Sequence, residues 1–331
     1  VTDFRISPGA ETAGDVVGPL IRRAGALLSR AERIDDDLAA AIDAADGDLS
    51  IRGDGRSVER RTNQRKAFRR VYKRDPVSEN DWRLAEGLDT HTYDGESKGS
   101  PAVVRVGRIR PVPGAGVVRM NLYIPAEEVV NVETSGIPGR VPNAGDHRGP
   151  SASADAEDSR VSVYVDYETG IVFVRQNPTV ERETDRRPRA GIPEVRVGQD
   201  RNGAVKIVYN AKDSFQPALA DQIDIGVQGV ITVDPSTGIP SVGGQVTPYP
   251  AIEIYHHSPE GTTTELFERN VNGSPYGPMT QLLRRATEHI GSEDVPHVGP
   301  VPDTERHTGR AREPFGTELG APHDPPDVRV Y

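Results

Sequence analysis

The chain carries 40 Lys and Arg against 50 Asp and Glu in 331 residues, a net charge of −10. That balance argues against a general nucleic-acid binder, since phosphate recognition needs a basic surface. Cysteine is absent, which excludes disulfides, thiolate–zinc sites and thiol catalysis. The 34 Gly and 28 Pro make about 19% of the chain, against a usual sum of about 12%, so part of it is expected to stay unfolded.

The first pattern lies between Asp15 and Gly47. Val17, Leu20, Ala24, Leu27, Ala31, Ile34, Leu38, Ala41 and Ala45 alternate at steps of three and four, the a/d seam of a helix, closed by Gly47 as C-cap. Such a stripe needs a second helix, from this chain or from a protein partner. Ser57 to Lys73 is the in-chain choice, with Val58, Phe68, Val71 and Tyr72 as apolar members. Nine basic residues crowd Arg56 to Arg74, following the acids Asp35, Asp36, Asp37, Asp43, Asp46, Asp48 and Asp54. An anionic partner is one reading. Charge complementarity with the acids is the other, and it is favoured because no stacking aromatics alternate with the arginines.

Pro76 ends this region. Ser78 to Gly87 reads as a short helix capped by Ser78 or Asn80, with Trp82, Leu84 and Ala85 as packing residues. The period then changes to two. Val103 to Ile109 and Val117 to Ile124 are strands expected to form a hairpin over Pro111 to Gly116, and residues 133–159 a long loop. Further strands follow at Arg160 to Asp166, Ile171 to Gln176, Glu194 to Gly198, Ala204 to Asn210, Ile223 to Val233, Ser241 to Thr247, Ala251 to His257 and Thr263 to Glu268. Polar turns separate them, as in an antiparallel meander closing into a barrel or sandwich. Pro278 to Ile290 is expected as a last helix, and 291–331, rich in Pro and Gly, as a disordered tail. The expectation is therefore an α+β chain: a helical region over 1–75, a helix and hairpin over 76–132, a loop over 133–159, a β domain over 160–290, and the tail.

Chemistry-bearing motifs are sparse. Gly95-Glu-Ser-Lys-Gly99 matches G-x-S-x-G, but Pro101 follows at once, where a nucleophile elbow needs a helix. The catalytic candidates pair histidine with carboxylate: His91 between Asp89 and Asp94, His147 with Asp146, and His257 with Glu253. A carboxylate beside an imidazole can orient it and raise its basicity. Along Ala251 to His257, alternation sets Glu253, Tyr255 and His257 on one face and Ile252, Ile254 and His256 on the other. If the isoleucines face the core, His256 is a satisfied inward group and His257 is on the surface. Alternatively Glu253, Tyr255 and His257 line a barrel mouth around a ligand. No metal-ligand spacing or phosphate-binding loop is present, and neither a metal nor a cofactor is expected.

Several stretches resemble a known group of proteins: Asn80 to Ala85, Asp89 to Asp94, Val106 to Arg119, Gly145-Asp-His-Arg-Gly149, Arg160 to Val172, Arg175-Gln-Asn-Pro178 and Pro250 to Tyr255. Together they resemble the C-terminal region of large actinobacterial proteins associated with type VII (ESX) secretion, which carry a WXG100-like helical part ahead of it. Here Trp82 sits in Trp-Arg-Leu and not in Trp-x-Gly. The resemblance implies an association with type VII secretion and supplies no catalytic residues. With the heptad seam, the β meander and the sparse catalytic motifs, the expectation is a non-catalytic secreted or envelope-associated binding module, exported without a visible cleavable signal. The alternatives are a cytoplasmic location and a polymorphic-toxin-like hydrolase using the histidines above.

Overall fold

The computed structural model describes residues 56–130, 142–182, 185–211, 227–277, 287–299 and 315–331. The heptad seam of 15–45 lies outside the described residues. The chain divides into two units at Arg65/Lys66, and among the described residues the second holds every strand. Two helices come first, α1 (Arg56–Tyr72) and α2 (Glu79–Leu88). Then follow β1 (Val103–Arg108), β2 (Val117–Tyr123), β3 (Glu128–Val129), β4 (Asn143–Ala144), β5 (Val161–Asp166), β6 (Ile171–Gln176), β7 (Glu194–Gln199) and β8 (Val205–Ala211). The rest are β9 (Val227–Asp234), β10 (Ser241–Val246), β11 (Ala251–His257), β12 (Thr263–Arg269), β13 (Glu288–Gly291), β14 (Thr317–Glu318) and β15 (Arg329–Val330).

One sheet runs β1-β6-β5-β2-β11-β12, the other β13-β10-β9-β8-β7-β14, with β15 also on β7. Among the described residues neither sheet closes on itself; they face each other as a sandwich. Alternation explains the core. Val118, Met120, Leu122, Val163, Val165, Ile252 and Ile254 of the first sheet meet Val195, Val197, Ile207, Ile231 and Val233 of the second in one apolar cluster. β2, β5, β6 and β11 are nevertheless buried at every position. A third layer therefore covers the outer face of the first sheet. There Leu84, Ala85 and Leu88 of α2, with Phe68 and Val71, pack on Val104, Val106, Tyr164 and Phe173. Ser78 caps α2 with Asp81 in a reciprocal capping box, and Arg74 grips the same Asp81 through two 2.7 Å bonds. Gly87 lets the helix touch the stacked Tyr164–Phe173 pair, because a Cβ there would lie 2.7 Å from the Tyr164 ring.

The three turns expected from Arg160 onward form the hairpins β5–β6, β7–β8 and β9–β10, and the further strands β11 and β12 pair as a fourth. Three expectations are corrected. β1 and β2 do not pair: the β5–β6 hairpin sits between them. Their connection arches over its turn instead, Ile109 N–H donating to Gly170 O at 2.9 Å and Val112 N–H to Tyr167 O at 2.7 Å. The helix placed over Pro278 to Ile290 is not continuous, because Glu288–Gly291 is a strand on β10; residues 278–286 lie outside the described residues.

The tail is the third correction. Residues 315–331 are docked, β14 antiparallel and β15 parallel to β7. Leu319 and Val328 are buried in the core, while Phe315 and Tyr331 stack with centroids 5.6 Å apart over Gly198. Composition underestimates this segment because a few apolar side chains, set opposite glycines, are enough to anchor it.

Candidate functional site

The outer face of the first sheet holds three of the residues singled out for chemistry, Glu253, Tyr255 and His257. Glu253, Asn121, Ser162 and Arg175 are successive register partners on β11, β2, β5 and β6, a polar rung across four strands. All four are buried. Asn121 Nδ2 donates to Glu253 Oε1 at 2.8 Å, and Ser162 Oγ donates to Asn121 Oδ1 at 3.0 Å.

Glu253 is fully buried and saturated. Besides Asn121 it accepts from Arg148 Nη2 at 2.8 Å, from the Ser151 backbone N–H at 2.7 Å and from the Tyr255 hydroxyl at 3.2 Å. Arg148 also donates to Ser159 Oγ at 2.8 Å and lies 3.9 Å from the Tyr123 ring centroid. Burial, then the Glu253 charge, pushes the Tyr123 phenol up to about 12. The neighbouring Arg119 donates to the carbonyls of Ala152 and Ala154 and lies over the Tyr255 ring. These contacts fasten the 145–160 loop onto the sheet, so Glu253 and Tyr255 face a lid of protein and not a barrel mouth.

His257 shares that face but not the cluster. Asn80 of α2 donates to Ser258 O at 2.9 Å, bringing the helix over the end of β11, and His257 is fully buried and not a surface residue. Its Nδ1 pairs with Thr263 Oγ1 at 2.9 Å. Burial, with Arg83 and Arg119 nearby, drives the imidazole down to about 2, so it stays neutral and is a poor proton acceptor near pH 7. His256, on the core side, donates from Nε2 to Ala115 O at 3.0 Å, as expected of a satisfied inward group.

The other two pairs sit in separate loops. His91 is exposed, and its Nδ1 lies 2.6 Å from Oδ1 of the buried Asp89, not of Asp94. Arg175 holds this loop by donating to the carbonyls of Asp89 and His91. His147 is exposed at a left-handed position, φ 45°. Asp146 beside it turns inward, accepts from Ile124 N–H at 2.6 Å and lies 3.4 Å from Arg160 Nε. Burial raises its pKa, against the opposing pull of Arg160.

Asp94 and Asp146 do meet, in a cleft also lined by Glu96, Glu157, Asp158 and Arg160. Several of these carboxylates are engaged with backbone: Asp94 accepts from Glu96 N–H, Glu157 from the N–H groups of Tyr93 and Asp94, and Asp158 from Asp155 N–H. None of the three histidines lines it. Among the described residues no three His, Asp or Glu are grouped to hold a metal ion. Ser97 of the G-x-S-x-G stretch is a buried turn residue with neither a strand before it nor a helix after it.

Sequence reasoning missed Arg119, Asn121, Arg148 and Arg175. Alternation of Arg119, Asn121 and Tyr123 with Val118, Met120 and Leu122 was the available signal, since it marks a polar row on a strand with both faces covered. Searches against protein-family models and curated proteins return no match to this chain.

Proposed function

We propose that the chain is a non-catalytic binding module of a secreted or envelope-associated protein of the type VII secretion group, engaging a protein partner through the apolar seam of residues 15–45. The observation that carries the non-catalytic part is the use made of the polar groups: Glu253 and Asp146 are enclosed by protein donors, and His91, His147 and His257 lie in separate settings. A general base must reach its substrate's proton, and a neutral, enclosed His257 does not. The seam supports the partner, and the resemblance of Arg160 to Val172 and its companion stretches supports the export route.

The test has two arms. Purified chain is assayed on RNA, DNA and activated esters beside His91→Ala, His147→Ala and His257→Asn; equal background in all four is expected, and turnover abolished by one substitution would install the hydrolase instead. For the partner, light scattering of the wild type against Leu20→Asp/Leu27→Asp should show an assembly that the variant loses. A wild type that stays monomeric and binds no helical partner would refute the seam's role.

A further inference from the structure

A second cleft, independent of export and of the seam, opens at one end of the sandwich. Leu122 and Val161 of the first sheet and Ala211 and Val227 of the second form apolar walls, and Val129 and Tyr249 complete them. It is a small cleft, about 90 Å³ and partly open to solvent, so it takes a compact ligand and not a drug-sized one.

One hydrogen-bond donor on this lining lacks an acceptor, and a second is met only by an ion pair. Tyr249 is 4% exposed, yet its hydroxyl has no partner. Arg160 donates through Nη1 to Pro178 O and through Nη2 to Ala144 O, but its buried Nε makes no hydrogen bond. A buried polar group left unsatisfied costs about 1–3 kcal/mol, so a hydroxyl held in an apolar wall is a place where an acceptor would be gained. Ordered water needs two to four polar partners, and Asn143, Gln176, Asn177 and Thr179 line the cleft beside Tyr249 and Arg160, so a ligand oxygen competes with water at that end. Charge narrows the choice further. Asp146 lies 3.4 Å from Arg160 Nε and offsets its charge, so the cleft favours neither an anion nor a cation.

We propose that this cleft binds a small uncharged molecule with an apolar body and one carbonyl-type acceptor oxygen, which takes the hydrogen bond from the Tyr249 hydroxyl. The apolar part fills the space between Leu122, Val161 and Val227, and the oxygen lies on the Tyr249 and Arg160 side.

A matched pair of probes tests this on the full chain: acetophenone, and ethylbenzene, which lacks the oxygen. Methyl-labelled NMR should show shifts concentrated at Leu122, Ile124, Val129 and Val161 for both, with acetophenone bound about tenfold more tightly, the worth of one hydrogen bond. Tyr249→Phe removes a hydroxyl that has no partner and should fold as the wild type does. It should keep ethylbenzene binding while the preference for acetophenone falls to about twofold or less. No shift at these methyls at millimolar probe would overturn the proposal. Equal binding of the two probes by the wild type, or a preference that survives Tyr249→Phe, would overturn the role of the hydroxyl and with it the ligand class.

Discussion

Replacing Glu253 by Ala tests whether the polar rung is a fastener. The carboxylate is fully buried and accepts from Arg148, Asn121, Ser151 and Tyr255. Removing one member of a buried ion pair costs about 3–5 kcal/mol, mostly because its partner is left unpaired. Arg148 keeps its bonds to Ser159 Oγ and Gly149 O and its side chain is 12% exposed, which sets the expected cost near the lower end, about 3 kcal/mol. For a folded unit of this size that is a fall of roughly 6–12 °C in melting temperature. Urea unfolding should report the same loss, and amide exchange should accelerate across Ser151 to Ser159, the strip that Glu253 and Arg148 hold. The double variant Glu253→Leu/Arg148→Met should recover much of the loss, since an apolar pair of similar volume can replace a buried ion pair. If Glu253→Ala lay within about 1 kcal/mol of wild type and left the loop protected, the fastener argument would be wrong.

Other consequences can be read with the same assays. Gly87→Ala should destabilise by about 1–3 kcal/mol, because its Cβ would press on the Tyr164 and Phe173 rings. Leu319→Ala, in the docked 315–331 segment, should cost at least about 2 kcal/mol; an unchanged melting temperature would return that segment to the status of a loose tail. Stability should fall with acid through His257: its folded pKa of about 2 lies below the ordinary 6.5, so below pH 6.5 the unfolded chain takes up a proton that the folded chain refuses. The slope approaches about 1.4 kcal/mol per pH unit well below pH 6.5, and His257→Asn should flatten it. Asp146 and Asp166, whose pKa values burial raises, act in the opposite sense at lower pH, and the comparison with the variant isolates the histidine.

How far the sequence carried depended on whether the deciding contacts were local. β5 to β12 are legible because alternation and turn residues such as Gly170 and Gly203, both at positive φ, act within a few positions. The β1–β2 misreading came from taking neighbours in sequence as neighbours in the sheet, when β1 pairs with β6 and sets Val106 opposite Phe173 in the outer apolar cluster. The docked segment was invisible for a similar reason: Leu319 finds its place opposite Gly107, and Tyr331 opposite Gly198, far away along the chain. At the candidate site, the shared face of Glu253 and Tyr255 follows from period two. That Arg148 would arrive from a loop to close it does not, because a loop arginine carries no periodicity.

The docked segment also bears on how copies of this chain would behave toward one another. It pairs with β7 through β14 and β15, and with β1 through Val106–Gly320 and Arg108–Val328 hydrogen bonds, so a single strap covers one free edge on each sheet. Unpaired edges are templates for strands from other molecules. Because both edges share one cover, local opening of 315–331 would bare them together, and the strap released by one molecule would fit the edges bared on the next. Strand exchange between copies is then the inherent hazard of this sandwich, governed by the opening free energy of one short segment and not by global unfolding.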